Sequence, residues 1–389
     1  MTEIQITRIG SNGGKLSSSS SVDSNGPSSR RRNMPMMYQM YESQYEDLRG
    51  TIYGPESPDF FPAQASENLK KAFSGIETKD SEIIDILVHH NNFQRQKILS
   101  AYEDMYEKSL LTDIEEETGG YFLEMALALF KPAHVLDTLQ LYKSVSNRYG
   151  DHSVAVEIAC TRSTRQLKVI REQYQQDFKK TLEKDINMKV EGIFGRMLSL
   201  LLCKPREEDG KRLDEDLVNR HANLLLSVVS LPSLPSLSLS QCTVDDLSRN
   251  ILVFEQIFVL KCWRHVAAVI NRADELRGDR RDIETILRKN KTMHSETRLM
   301  LLTIVHSARN TQLYFAEKLR NAMSGERPDH STIIRVIVTR SEIDMADIVE
   351  EYKRRYQRSL DFDISQTCSG DYLRLVLSII NPAGAIHIP

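Results

Sequence analysis

The sequence predicts an all-α protein, a tandem array of helical repeats behind a low-complexity arm. Three observations predict it. From about residue 65 onward, apolar positions recur at helical spacing with almost no alternating strand pattern. A thirteen-residue pattern, Y-x3-[YF]-x2-[ST]-L-x2-D-I, occurs three times: YEDMYEKSLLTDI from Tyr102, YQQDFKKTLEKDI from Tyr174 and YKRRYQRSLDFDI from Tyr352. The first two copies start 72 residues apart, and the last starts 178 residues further on, two such periods and about 34 residues more. A degraded repeat with insertions therefore belongs in the gap, giving four repeats of about 70 residues.

The elements follow in order. Residues 1–60 read as a disordered arm. A serine run (Ser17 to Ser21), a triple arginine (Arg30 to Arg32) and Gly/Asn/Ser filler leave too little apolar surface to offset ordering entropy. Its Met- and Tyr-rich stretch from Met34 to Leu48 is a candidate docking element for a protein partner or for the folded body. Gly13-Gly14-Lys15 lacks the leading glycine of a phosphate loop, and Leu16 stands where Ser or Thr belongs.

The repeats are expected over 61–132, 133–216, 217–308 and 309–381, with a tail over 382–389. Within the pattern, Ile98, Ile170 and Ile348 precede each first Tyr by four residues and extend one buried stripe. Ser109, Thr181 and Ser359 are the expected helix N-caps, with Asp113, Asp185 and Asp363 in the following first turn. In the third repeat, RRDIETI (Arg280 to Ile286) reads as the remnant of the D-I element.

These runs resemble the annexin family. NNFQRQKILSAYEDMY in repeat 1, TRSTRQLKVIREQY in repeat 2, and VTRSEID with CSGDYL in repeat 4 are similar to its repeat signatures, and the resemblance extends over about residues 60–380. It implies five helices per repeat, a slightly curved disc, and a face whose loops meet phospholipid through calcium. The family's calcium site pairs a G-x-G-T loop between the first two helices with an Asp or Glu about 40 residues after the second glycine. The division of labour is chemically sensible, since calcium takes six to eight oxygens and outward-turned carbonyls favour glycine.

Carried over residue by residue, the motif survives in one place. Repeat 1 has Gly75-Ile76-Glu77-Thr78 with Glu117 at the closing position. Glu replaces the second glycine but the carboxylate is present, so Gly75, Glu77, Thr78 and Glu117 form a candidate weak residual calcium site. Repeat 2 has Asn147-Arg148-Tyr149-Gly150 and closes on Lys189. Repeat 3 has Ser240-Gln241-Cys242-Thr243, and its closing position falls between Lys289 and Thr292, none acidic. Repeat 4 has Gly325-Glu326-Arg327-Pro328 and closes on Thr367. Calcium is expected in repeat 1 only.

The replacements share a sign. Arg148, Lys189, Arg288, Lys289, Lys291 and Arg327 place fixed cations where the family binds a soluble one, so attachment to an anionic leaflet without calcium is one expectation, ordinary solvated surface the other. Leu231, Leu234 and Leu237 lie in a Ser/Pro/Leu stretch (Ser227 to Gln241), either an apolar wedge for the headgroup region or a loop folded on its own repeat.

The remaining residues exclude more than they suggest. Five scattered cysteines with no C-x-x-C pair argue against disulfides and zinc and favour a reducing compartment. Net charge is −3, so no nucleic acid is expected, and there is no apolar signal sequence or run of about 18 apolar residues. The histidines lack ligand spacing, Trp263 reads as core, and Arg340, Glu342 and Asp344 read as charge pairing at a helix junction. No nucleophile–base pair or catalytic carboxylate pair is present, so no enzyme is expected. The resulting expectation is a cytoplasmic, peripherally membrane-associated protein on anionic phospholipid. The competing reading is a calcium-independent scaffold for protein or cytoskeletal partners.

Overall fold

The computed structural model describes residues 49–74, 80–146, 150–207, 212–229, 251–278, 282–290 and 293–382. Apart from a short 3-10 turn at Ser57–Asp59, the described residues form twenty helical segments in four runs of five, and no strand. The first run is α1 Pro62–Phe73, α2 Asp80–His89, α3 Asn92–Tyr106, α4 Leu110–Glu117 and α5 Gly120–Phe130. The second is α6 Ala133–Ser146, α7 Ser153–Thr161, α8 Thr164–Phe178, α9 Leu182–Lys189 and α10 Gly192–Cys203. The third is α11 Glu215–Val229, α12 (helical over 251–254 and π-wound over Glu255–Val259), α13 Trp263–Arg277, α14 Ile283–Lys289 and α15 Ser295–Arg309. The fourth is α16 Thr311–Met323, α17 His330–Arg340, α18 Met345–Tyr356, α19 Leu360–Ser365 and α20 Gly370–Ile380.

Local chemistry sets the same boundaries in successive repeats. The third helix opens on a capping box in repeats 1 and 2, where Asn91 with Gln94 and Ser163 with Gln166 each exchange two hydrogen bonds. It closes on a left-handed residue in every repeat: Glu107, Lys179, Gly278 and Gln357. Three of these are not glycine and carry the steric cost of that conformation. Ser109, Thr181 and Ser359 do occupy the N-cap of the fourth helix, but only Thr181 accepts a bond there, from the Lys184 amide.

The D-I aspartates lie in the first turn of the fourth helix, as expected, and are buried there. Tyr102, Tyr174 and Tyr352, all fully buried, donate their hydroxyls to Asp113, Asp185 and Asp363 respectively, the last two at 2.8 and 2.6 Å. Each aspartate also meets cations: Lys70 and Lys108 at Asp113, Lys189 at Asp185, and Arg320 and Arg358 at Asp363. The Tyr and Asp of the motif are thus one buried hydrogen bond joining the third and fourth helices.

The third repeat replaces that bond. Ala273 takes a fully buried place in α13, and Asp274 accepts from the Ile283 amide at 2.8 Å and pairs with Arg309. Asp282-Ile283 is therefore the N-cap and first residue of α14, the counterpart of Ser109-Leu110 and not of the D-I element. Trp263 is half-buried and packs against the core of its repeat; the Arg206 guanidinium covers its ring at 3.8 Å while donating to the Lys261 and Phe258 carbonyls.

Two hydrophobic cores result. One unites the first and fourth repeats, the other the second and third. Between them runs a buried ion pair: Glu157 of α7 accepts from Arg335 of α17 at 3.1 and 2.9 Å, with Lys318 at 3.6 Å. Burial opposes the Glu157 charge, but Arg335, Lys318 and Arg162 outweigh it and hold the carboxyl at a pKa of about 2. Within the first core, Arg95 is 1% exposed, donates to the Leu87, His90 and Leu129 carbonyls and reaches Glu342 of the fourth repeat at 2.6 Å.

Residues 1–48, including the Met/Tyr stretch, lie outside the described residues. Residues 49–60, expected as arm, are instead docked. Thr51 and Ile52 donate their amides to the Ser341 carbonyl, Arg49 grips Asp347 and Glu350, and Ile52 is 2% exposed. Gly50 lets the segment approach, since a Cβ there would meet the Glu342 backbone at 2.7 Å. Asn91 and Gln94 then donate to the Tyr53 and Pro55 carbonyls, so the segment straps the fourth repeat to the first.

Candidate functional site

In each repeat, a proximal loop joins the first two helices and a distal loop joins the last two. The helix order brings the two loops together. In repeat 2, Lys189 Nζ at the end of α9 lies 3.5 Å from Ser146 Oγ at the end of α6. In repeat 1, Asp80 at the start of α2 and Glu117 at the end of α4 line one cavity, as do His330 and Thr367 in repeat 4. A metal shared between the two loops is therefore geometrically sensible here.

The distal half is built alike in three repeats. Gly120, Gly192 and Gly370, the first residues of α5, α10 and α20, have φ of 59, 72 and 60°, the left-handed turn that lets an extended N-cap enter the helix. The side chain at the closing position then decides the chemistry. Glu117 supplies a carboxylate in repeat 1. Lys189 in repeat 2 supplies an ammonium, and it is not a free one. Its Nζ lies 3.2 Å from Asp185 and 5.4 Å from the Tyr142 ring centroid, and its side chain is 25% exposed. Thr367 in repeat 4 donates its hydroxyl back to the Asp363 carbonyl at 2.9 Å.

The proximal half is described in repeat 4 alone. Gly325 keeps a φ of 107°, whereas Arg327 has an ordinary negative φ, because the described non-glycine residues with positive φ are Glu107, Lys179 and Gln357. The loop closes on itself: Asp329 donates its amide to the Ala322 carbonyl at 2.8 Å, and its carboxylate caps α17 through the Thr332 amide and hydroxyl. No acidic side chain stands at the closing position, so this loop does not fit a calcium ion. Repeat 2 does not fit one either, with an ammonium inside its own ion pair. Repeat 1 fits on the distal side.

Gly75, Glu77 and Thr78 lie outside the described residues, as do Arg148, Leu231, Leu234 and Leu237. Lys289 ends α14 exposed, and Arg327 is exposed at its loop tip. Arg288 leans on Glu284 at 2.8 Å. Among the described residues no three His, Cys, Asp or Glu side chains converge as a ready-made metal cage, and no helix is long and apolar enough to cross a membrane.

Four five-helix repeats with paired loops at one end define a class of protein, and comparison with known proteins gives the family. The Annexin family profile matches residues 64–129, 137–201 and 314–379, which fall on the first, second and fourth repeats. Annexin A3 of Mus musculus is 33% identical over 332 residues, covering 85% of this chain and 96% of its own length. Annexin A11 of Oryctolagus cuniculus is 32% identical over 331 residues, 85% of this chain; the chain spans 62% of that relative's length. Among solved structures, annexin III superimposes with a TM-score of 0.73 at 31% identity, covering 85% of this chain and 97% of that one. Chicken annexin V in complex with zinc gives 0.74 at 30% identity, covering 86% and 98%. The chain belongs to the annexin family, whose general property is binding to phospholipid membranes.

Proposed function

We propose that this protein attaches peripherally to anionic phospholipid, as a non-enzymatic cytoplasmic membrane-binding protein, with calcium confined to repeat 1. The observation that carries the reading is the state of the closing positions. Lys189 and Thr367 offer no carboxylate and are bonded to Asp185 and the Asp363 carbonyl, whereas Glu117 places a carboxylate at the repeat 1 cavity. Glu117, with Gly75, Glu77 and Thr78, would hold the calcium, and the ion would supply positive charge for an anionic headgroup.

Elsewhere, attachment rests on fixed cations. Lys189 is tied inward, so Lys289 and Arg327 are the described basic side chains free to face a leaflet. Each contributes about 1 kcal/mol near an anionic surface, so together about 2 kcal/mol, or about 30-fold in affinity. The test is co-sedimentation with phosphatidylserine vesicles in chelator at low and physiological salt, for the parent and for Lys289→Glu with Arg327→Glu. Salt-sensitive pelleting that the double reversal abolishes supports the proposal. No pelleting of the parent in calcium or in chelator would favour a protein-docking scaffold, with the strap of residues 49–60 carrying the arm to its partner.

A further inference from the structure

Between the first and fourth repeats, on the side of their proximal and distal loops, opens a cavity of about 480 Å³. Four helices begin at its rim: α2, α5, α17 and α20. Because Cα–Cβ bonds tilt toward a helix N-terminus, their first-turn side chains converge on it. The family's calcium chemistry accounts for Glu117 alone among the groups gathered there.

The polar atoms in this cavity are short of partners. Seven buried side-chain oxygens and nitrogens among the described residues find no hydrogen-bond partner, and three of the seven line this one space: Asp80 Oδ1, His330 Nδ1 and the Tyr372 hydroxyl. Buried polar groups are normally satisfied, so such a cluster calls for an explanation. Tyr372 is only 6% exposed, and the neighbour its hydroxyl has is the weakly bonding thiol of Cys368. Burial also pushes the Asp80 carboxyl up, against the opposing charge of Arg374.

Charge and shape narrow the ligand. Asp80, Glu117 and Asp371 line the space, and the nearby cation, Arg374, is paired with Asp371. An anion is therefore repelled despite the four helix N-termini. Asp80, His330 and Tyr372 offer a single carboxylate, too few to hold a bare divalent metal apart from the calcium proposed at Glu117. Aromatic rings complete the wall: Tyr121 stacks on His330 at 4.1 Å, and Tyr372 stands 5.6 Å from each. Burial lowers the His330 pKa, so the imidazole is neutral at pH 7 and does not compete with a bound cation. Carboxylate plus aromatic walls is the chemistry that recognises an organic ammonium. A primary ammonium brings three N–H donors to three unpartnered atoms, each able to accept when His330 carries its proton on Nε2, whereas a quaternary one brings none.

We infer that this cavity binds the primary ammonium of an ethanolamine-type headgroup, with Asp80 as counter-ion and Tyr121 and Tyr372 as walls. The inference rests on the reading that this face meets phospholipid. A serine headgroup, carrying its own carboxylate, is repelled by Glu117 and Asp371.

The test has a soluble arm and a membrane arm, both in chelator. O-phosphoethanolamine is titrated against the full chain while tyrosine ring resonances are followed, with phosphocholine and phosphoserine as comparisons. Phosphatidylcholine vesicles are then compared with vesicles that also contain phosphatidylethanolamine, a lipid of the same net charge. We expect phosphoethanolamine alone to shift the rings, and phosphatidylethanolamine to raise vesicle binding about five-fold or more over phosphatidylcholine alone. Asp80→Asn and the half-exposed Tyr121→Ala should each abolish both responses while leaving salt-sensitive binding to phosphatidylserine intact. A response to phosphocholine equal to that to phosphoethanolamine, or no response in either arm, overturns the site and leaves a water-filled gap. A response to phosphoethanolamine with none to its lipid keeps the site and overturns the membrane reading of this face.

Discussion

Glu157→Leu is the substitution that most sharply probes how the two cores are joined. Glu157 is fully buried, and Arg335, 3% exposed, grips both its oxygens at 3.1 and 2.9 Å across the boundary between the second and fourth repeats. Removing the carboxylate strands a desolvated guanidinium, with Lys318 3.6 Å from the same site. Breaking a buried pair from one side costs about 3–5 kcal/mol, whereas replacing both partners with apolar residues is about neutral or stabilising. Glu157→Leu should therefore lose about 3–5 kcal/mol in urea unfolding followed by far-UV circular dichroism, and adding Arg335→Leu should recover most of it. A single variant losing less than about 1 kcal/mol, or a double variant losing the sum of the two singles, would refute the reasoning.

Other outcomes follow from the same structure. Glu107→Gly relieves a left-handed residue (φ 51°) and should raise stability by about 0.5–1 kcal/mol in the same assay. Lys189→Glu replaces a partner 3.2 Å from the buried Asp185 with a like charge, and should cost about 1–3 kcal/mol before any effect on lipid. Burial lowers the pKa of His90, His134, His221, His265 and His330 from the ordinary 6.5. Their contribution is complete above that value and is lost as pH falls, because only the unfolded chain protonates freely. Glu157, at about 2 against 4.5, adds a second loss below pH 4.5. Thermal scans should show the melting temperature falling in two stages from pH 7; a flat profile between pH 7 and 5 would contradict the first.

Much of this was legible in the sequence because the repeat is local. Ile98, Tyr102, Leu110 and Ile114 lie within one pair of helices, and the spacing that reveals them is the spacing that buries them. The closing positions rest instead on the resemblance to the family, whose motif sets them at a fixed offset within each repeat. Pairing between repeats was not. Glu157 and Arg335 are 178 residues apart, and nothing in either helix announces the other. The strap at residues 49–60 was read as disordered because its anchorage is largely main chain, on the Ser341 carbonyl and past Gly50, where composition carries little signal. Lys189 was read as a free cation, since its net charge is visible in sequence and its bond to Asp185 is not. The ring cluster of Tyr121, His330 and Tyr372 draws on two repeats at opposite ends of the chain, and no spacing rule finds it.

Calcium titration calorimetry on the full chain tests most directly whether Glu117 is the one closing carboxylate that binds the ion. We expect no more than one weak site, lost in Glu117→Gln, with binding unaltered by Thr367→Ala. Two or more sites, or a site that survives Glu117→Gln, would contradict it.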